Sequence, residues 1–396
     1  MGQIWYNNSD HIKKDVNTAE EACVKVLLVC VTTNVVIGFR KKLIESIQEL
    51  GHEVSVITFD RKYEELIKSR GIDFHCLEDS NRGLNPFKAL TLRKRYAKLI
   101  REISPDIVFT FMLKPNIFGV LGAKDAGVCE IYSMMEGAGD VFIYHTLKWR
   151  MIRRVVCFLL RKSFRHAKKV FFLNREDRDE FIGYKLVKQE QCDIVPGIGV
   201  DLDHFAPKPL ENTDSFLMVS RMLKTKGVLE YCEAAKKVKA HYPNAKFRYV
   251  GPEGTVTVAD IQSYIDDGVI EYMGATLDTA PFYEQAAVFV LPSYREGLGL
   301  VNAEASAVCR PVITCDTIGT RCTVIDGYNG FFVPVADVDA IAEKMIYFLE
   351  HPDMIVTMGE NGRKFAEDHF DQKKINQKIC HILGLDHVKE TIQEKP

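Results

Sequence analysis

The sequence predicts two successive α/β domains, each a parallel sheet covered by helices, facing one another across a ligand cleft at the C-terminal ends of their strands. Three observations carry this. The chain has 396 residues, 46% of them hydrophobic, enough to bury two cores rather than one. Short apolar runs alternate with segments of helical spacing along its length. A glycine-rich turn, VPGIGVDLD at 195–203, divides one such series from a second.

Residues 24–31 read as the first strand; helical spacing follows over 39–50, Gly51 stops it, and 54–59 is the next strand, a β-α-β unit. Residues 107–110, 129–133 and 169–173 read as further strands separated by helical segments, the pattern of a covered parallel sheet. The second series comprises strands at 216–220, 246–250, 270–273, 288–291, 312–314 and 330–333, with a helix over 227–242. The expected division is a polar extension at 1–23 with no assigned chemistry, domains at 24–198 and 199–375, and a helical tail at 376–396 that returns toward the first domain.

Composition removes several classes of function. Eleven cysteines occur without a C-x-x-C pair, and no apolar leader precedes the first strand, which points to a reducing cytoplasm and away from a disulfide framework. Every apolar run is interrupted short of the roughly 20 residues that span a bilayer. LLVCVTTNVVIGF contains no G-x-G-x-x-G, which argues against a dinucleotide oxidoreductase. The eleven histidines include no H-E-x-x-H, so His52, His75 and His241 read as surface or packing residues. Cys30, Cys157, Cys232 and Cys309 read as small buried hydrophobes.

The net charge of -2 hides a local imbalance. Nine Lys/Arg and no acid lie between His145 and Lys169, and the stretch from Arg82 to Arg101 is similarly basic, so the first domain carries a positive face. No finger, homeodomain or RNA-binding motif accompanies these cations, and nucleic acid is not an expected partner.

Two constellations in the second half carry chemistry. In VSRMLKTKGVLEY, a strand ends in a loop bearing Ser220, Arg221, Lys224 and Lys226, and a helix starts at Gly227. Cations and free N–H groups then face one spot where a diphosphate fits; a solvated basic turn is the alternative. In VFVLPSYREGLGLVNAEASA, a helix starting near Gly299 puts Glu296 at its mouth and Glu304 about a turn and a half inside. An acid in the loop suits sugar hydroxyls or charge at an anomeric carbon, and one on the helix suits a ribose diol. The N–H groups near Leu298 and Gly299 suit phosphate oxygens. A capping acid beside an exposed helix acid is the second reading.

These residues, with GVDLDHF at 199–205, YMGATLD at 272–278 and TVIDGYNGFFV at 323–333, resemble the retaining glycosyltransferase family 4, whose fold is GT-B, two Rossmann-like domains around a cleft. The resemblance implies a UDP-sugar donor and no required cofactor or metal. It implies that Arg221 and Lys226 bind the diphosphate, Glu304 the ribose and Glu296 the transferred sugar, with N–H groups from Gly297, Leu298, Gly299 and Leu300 on phosphate. DLD at 201–203 reads as local capping instead of a Mg²⁺ site. The chain departs from the family pattern at Cys309 (usually glycine), Cys322 (usually an acid) and Gly299 (usually proline). A catalytically silent scaffold is the alternative reading.

The first half, through VIGFRKKLIESIQELGHEVSVIT, GLNPFKAL, PDIVFTFMLKPNIFGVLGAK and MMEGAGDVF, looks like the bacterial branch that extends undecaprenyl-diphosphate-linked saccharides. The acceptor is then expected to be a polyprenyl-diphosphate-linked saccharide. Arg40 and Lys114 are placed at the acceptor as cations, and Glu136 as an acid that orients or deprotonates a hydroxyl; surface charge is the bland reading. Trp149, Ile152, Val155, Val156 and Leu159 recur at helical spacing beside Arg150, Arg153 and Arg154. They are expected to face the anionic inner leaflet, docking the enzyme on the cytoplasmic side of the inner membrane, with core packing as the alternative.

Overall fold

The computed structural model describes residues 23–79, 86–137, 140–143 and 146–386. The polar extension short of Cys23, residues 82–85 of the second basic stretch, residues 138–139 of the MMEGAGD loop and residues 387–396 of the tail lie outside it.

The first sheet holds β1 (Lys25–Val29), β2 (Glu53–Thr58), β3 (Asp73–Cys76), β4 (Ile107–Phe111), β5 (Glu130–Met135), β6 (Lys169–Phe172) and β7 (Cys192–Ile194). They lie in the order β3-β2-β1-β4-β5-β6-β7, every pair parallel. The second sheet holds β8 (Ser215–Val219), β9 (Lys246–Val250), β10 (Glu271–Tyr272), β11 (Val288–Leu291), β12 (Val312–Cys315) and β13 (Gly330–Val333), in the order β10-β9-β8-β11-β12-β13 and again all parallel. In each sheet the chain order reverses beside the first strand, at β1/β4 and at β8/β11. Loops leaving the C-terminal ends of those strands border the crevice where parallel sheets bind ligands. The central strands β4, β8 and β11 are buried throughout, which is why they read as continuous apolar runs.

One face of the first sheet, with Leu27, Val29 and Val108, packs under the Pro86–Ile103 and Leu147–Phe164 helices. The apolar cluster on the other face, with Val26, Leu28, Phe109 and Phe171, continues into Leu298, Ala303 and Ala307 of the second domain. The same cluster takes in Ile375, Ile379, Cys380 and Leu383 of the Gln372–Leu383 helix, which packs against the Lys41–Glu49 helix of the first domain.

The Leu147–Phe164 helix corrects one expectation. Val156 is fully buried, and Trp149, Ile152 and Leu159 pack against the first-domain core instead of lining the outer face. Arg153 is turned inward too, donating from Nε to the Val141 carbonyl at 2.9 Å and from Nη1 to the Tyr184 hydroxyl at 3.3 Å. The outward stripe is Leu147, Met151, Val155 and Phe158, at 74, 62, 56 and 60% exposure, with Arg150, Arg154 and Lys162 exposed around it. Apolar residues occupy both faces of this helix, and the sheet takes the face bearing Val156 and Leu160. Among the described residues no helix is long and apolar enough to cross a membrane.

Candidate active site

Two neighbouring strands of the second sheet build the site from their C-terminal ends. After β8, Ser220 bonds the Tyr249 hydroxyl at 2.9 Å, and Arg221 is exposed with no side-chain partner among the described residues. Lys224–Lys226 forms a 3₁₀ turn, and the Val228–Lys239 helix starts at Gly227, which sits at φ 75°. A Cβ there would lie 2.2 Å from the Pro292 carbonyl oxygen, so only glycine lets this turn close against the loop after β11.

The two loops are stitched together. The Tyr294 N–H donates to the Thr225 carbonyl at 2.9 Å and the buried Ser293 hydroxyl donates to the same oxygen at 3.3 Å. This brings Lys226 Nζ to 2.5 Å from Glu296 Oε1. The Leu300–Ala307 helix follows, capped by Gly299. Among the described residues the N–H groups of Gly297, Leu298 and Gly299 make no hydrogen bond, which leaves three donors at a helix start beside Lys226. Glu304, partly buried on that helix, accepts from the Tyr283 hydroxyl at 2.9 Å. Burial pushes its carboxyl up to about 7, and the Tyr283 bond pulls the other way.

The first domain meets this site at the end of β5. A Cβ on Gly297 would stand 2.7 Å from the Glu136 carbonyl oxygen, so the two loops touch backbone to backbone. The Glu136 carboxylate pairs with Arg40. Arg40 does not present an open cation to the cleft, as the sequence reading expected. Its side chain is 0% exposed, lies 4.1 Å over the Phe111 ring and contacts the Met134 sulfur at 3.6 Å. Burial draws its pKa down to about 10. The chain turns at Gly38 and enters the Lys41–Glu49 helix with Arg40 directed onto the ends of β4 and β5. Lys114 pairs with Asp79 at 3.1 Å, so the contacts unite Arg40 with Glu136 and put Lys114 in a separate ion pair.

Residues 25–174 match the family described as "Glycosyl transferase 4-like", and residues 200–365 match "Glycosyl transferases group 1". The chain belongs to the GT4-like glycosyltransferases. Among relatives of this glycosyltransferase is the Campylobacter jejuni N,N'-diacetylbacillosaminyl-diphospho-undecaprenol alpha-1,3-N-acetylgalactosaminyltransferase, 27% identical over 87% of this chain and 94% of that protein. Another is the Escherichia coli UDP-Gal:alpha-D-GlcNAc-diphosphoundecaprenol alpha-1,3-galactosyltransferase, 27% identical over 71% of this chain and 80% of that one. The Anabaena protein HepE, solved with UDP and glucose, superposes with a TM-score of 0.74 at 18% identity, covering 91% of this chain and 99% of its own. That likeness fixes the fold as GT-B.

Three features of this glycosyltransferase's site escaped the sequence. Arg295 Nη2 reaches Asp177 Oδ1 at 3.0 Å and Glu180 at 3.6 Å, and Asn174 Nδ2 donates to the Gly297 carbonyl at 2.7 Å, all contacts between the first domain and the loop after β11. The Tyr294 hydroxyl meets Glu230 at 2.5 Å. Asn174 alone had a local signal, as a helix cap followed by acids in NRED. The departures from the family pattern also acquire a physical form. Gly299 sits at φ 74°, a conformation closed to proline, and Cys309 holds φ 60°, where glycine is the natural occupant. Asp201 accepts the N–H groups of Asp203 and His204, both at 3.2 Å, and so closes its own turn.

Proposed function

We propose that the protein moves a hexosyl or N-acetylhexosaminyl unit from a UDP-sugar to a saccharide carried on undecaprenyl diphosphate, with retention at the anomeric carbon, in the assembly of a bacterial surface polysaccharide or glycoprotein glycan. The observation that carries this reading is the Lys226–Glu296 pair set against three unbonded N–H groups at the Gly299 helix start. It supplies donors for a diphosphate and a carboxylate for the adjoining sugar. The named activities of the Campylobacter and Escherichia relatives supply the donor and acceptor classes.

In this reading Arg221, Lys226 and the N–H groups of Gly297, Leu298 and Gly299 take up the negative charge that grows on UDP as the bond from C1 to phosphate oxygen breaks. The acceptor hydroxyl attacks the same face, its oxygen bonds C1, and its proton passes to the departing phosphate oxygen. Glu296 stands beside the sugar hydroxyls and is not a nucleophile. Glu304 accepts the ribose diol. Glu136, held by Arg40, orients the acceptor hydroxyl. The exposed Leu147, Met151, Val155 and Phe158 stripe, ringed by Arg150, Arg154 and Lys162, suits the cytoplasmic surface of an anionic inner membrane, where a polyprenyl acceptor resides.

The test is a screen of UDP-sugars against a short-chain polyprenyl diphosphosugar, with the product linkage read by NMR. Transfer from one UDP-sugar with the α-anomer retained is the expected result. Absence of transfer from every donor by a folded, UDP-binding protein rejects the reading in favour of a silent scaffold.

A further inference from the structure

Glu296 belongs to the second domain, yet both of its neighbours in sequence are held by the first. Arg295 Nη2 lies 3.0 Å from Asp177 Oδ1, and the Asp177 side chain is only 4% exposed. The other Asp177 oxygen accepts from Asn174 Nδ2 at 3.0 Å, and the Asp177 N–H donates to Asn174 Oδ1 at 2.6 Å. The same Asn174 amide donates to the Gly297 carbonyl at 2.7 Å. One short segment at the end of β6 thus grips the residue before Glu296 through an ion pair and the residue after it through a hydrogen bond.

Leu298 extends the contact by burying its side chain in the cluster formed with Phe171, Leu173, Val195 and Val200. On the second-domain side, the Glu296 N–H donates to the Ile318 carbonyl at 3.2 Å. The Glu296 peptide is therefore fixed from two domains at once. Asp177 is the buried partner of this ion pair, so removing Arg295 leaves a desolvated carboxylate, a costly change. Such a contact makes a stiff mount for the one side chain between its anchor points.

We propose that Asp177 and Asn174 are positioning residues for the transfer step, holding Arg295 and Gly297 so that the Glu296 carboxylate is aimed at the reacting sugar. The proposal rests on the donor-site reading of Glu296 given above. The two domains are then coupled in a specific sense: UDP is held mainly by Arg221, Lys226, the Gly299 N–H and Glu304, which the Asp177 ion pair does not touch, whereas the aim of Glu296 depends on that pair.

The experiment measures UDP affinity by calorimetry, and kcat and donor KM, for Asp177→Ala, Asp177→Asn, Arg295→Lys and Asn174→Ala, alone and in a Glu296→Ala background. Asp177→Ala is expected to lower kcat roughly 10- to 100-fold, the scale of a displaced catalytic group. UDP affinity should stay within about twofold, a span that moves binding free energy by only a few tenths of a kcal/mol. Asp177→Asn, which still accepts from Arg295, falls between. In the Glu296→Ala background Asp177→Ala adds no further loss, because nothing remains to be aimed. A general structural role would instead lower the residual rate there as much as in the parent, and that outcome overturns the proposal, as does an unchanged kcat in Asp177→Ala and Arg295→Lys. If Asp177→Ala does not fold, Arg295→Lys, altered at a partly exposed side chain, gives the same comparison. Failure of the underlying reading is separate: there, Glu296→Ala by itself turns over like the parent.

Discussion

Lys226 Nζ lies 2.5 Å from Glu296 Oε1, so the cation after β8 and the acid after β11 neutralise one another. In the proposed reading a donor diphosphate competes for the lysine and its sugar for the acid, so both charges act on the group that changes during transfer. Lys226→Ala and Glu296→Ala are each expected to cut turnover roughly 10²-fold or more. Near-parental kcat in both, with folding verified by circular dichroism, would remove the assignment.

Glu304 has its carboxyl raised to about 7 by burial, so if it accepts the ribose diol as proposed, donor binding is expected to be sensitive to pH. Ribose hydroxyls donate best to the ionised form. UDP-sugar affinity is expected to weaken roughly tenfold between pH 8 and pH 6 and to be lower but flat in Glu304→Gln. A UDP-sugar is the right probe because its diphosphate does not titrate in this range. The same group makes stability fall as pH climbs from the ordinary carboxylate value to about 7, since the native state keeps a proton that the unfolded chain has released. Denaturant midpoints across that window should show the slope in the parent and lose it in Glu304→Gln.

Cys309 at φ 60° occupies a backbone region that costs a side-chain-bearing residue about 1 kcal/mol. Cys309→Gly relieves this and gives up part of a half-buried thiol contact. The net expectation is a rise in Tm of about 1 °C, read by calorimetry. A lower Tm would show that the thiol packing outweighs the backbone relief.

The corrected outer face of the Leu147–Phe164 helix sets the membrane test. Met151→Asp with Phe158→Asp, or Arg150→Glu with Arg154→Glu, is expected to lower cosedimentation with anionic vesicles about tenfold or more and to leave UDP affinity intact. Each exposed cation near such a surface contributes about 1 kcal/mol. Binding by the parent should weaken as salt rises and the Debye length falls to about 8 Å. Equal sedimentation of parent and variants on neutral and anionic vesicles would leave the stripe without a lipid role.

The sequence located the central strands and both edges of the second sheet, at 270–273 and 330–333, and missed the two edges of the first sheet, for a physical reason. Residues 288–291 match β11 because a strand covered on both faces must be apolar throughout, and 246–250 match β9 through the alternation of Phe247, Tyr249 and Val250 with Lys246 and Arg248. Asp73–Cys76 and Cys192–Ile194, at the two edges of the first sheet, are partly exposed and carry no such run. Lys226 and Glu296 were legible as motif residues, each in a strand-to-helix loop. The Arg295–Asp177 contact was not, since 118 positions separate its partners and neither lies in a local pattern that names the other. Arg40 failed differently: its charge suggested an open surface, whereas a ring from β4 and a carboxylate after β5 enclose it. The Trp149 face failed because a helix apolar on both sides has no phase that periodicity can choose.

The Gln372–Leu383 helix, seated on the Lys41–Glu49 helix, has a consequence for the order of synthesis. The first sheet is complete once Ile194 has been made, but Ile375, Ile379 and Leu383 seal part of its core. At ribosomal speeds roughly 10–40 s separate those events. During that interval the Leu43, Ile44 and Ile47 face of the Lys41–Glu49 helix, part of the same apolar cluster, lacks the cover that the last helix gives it.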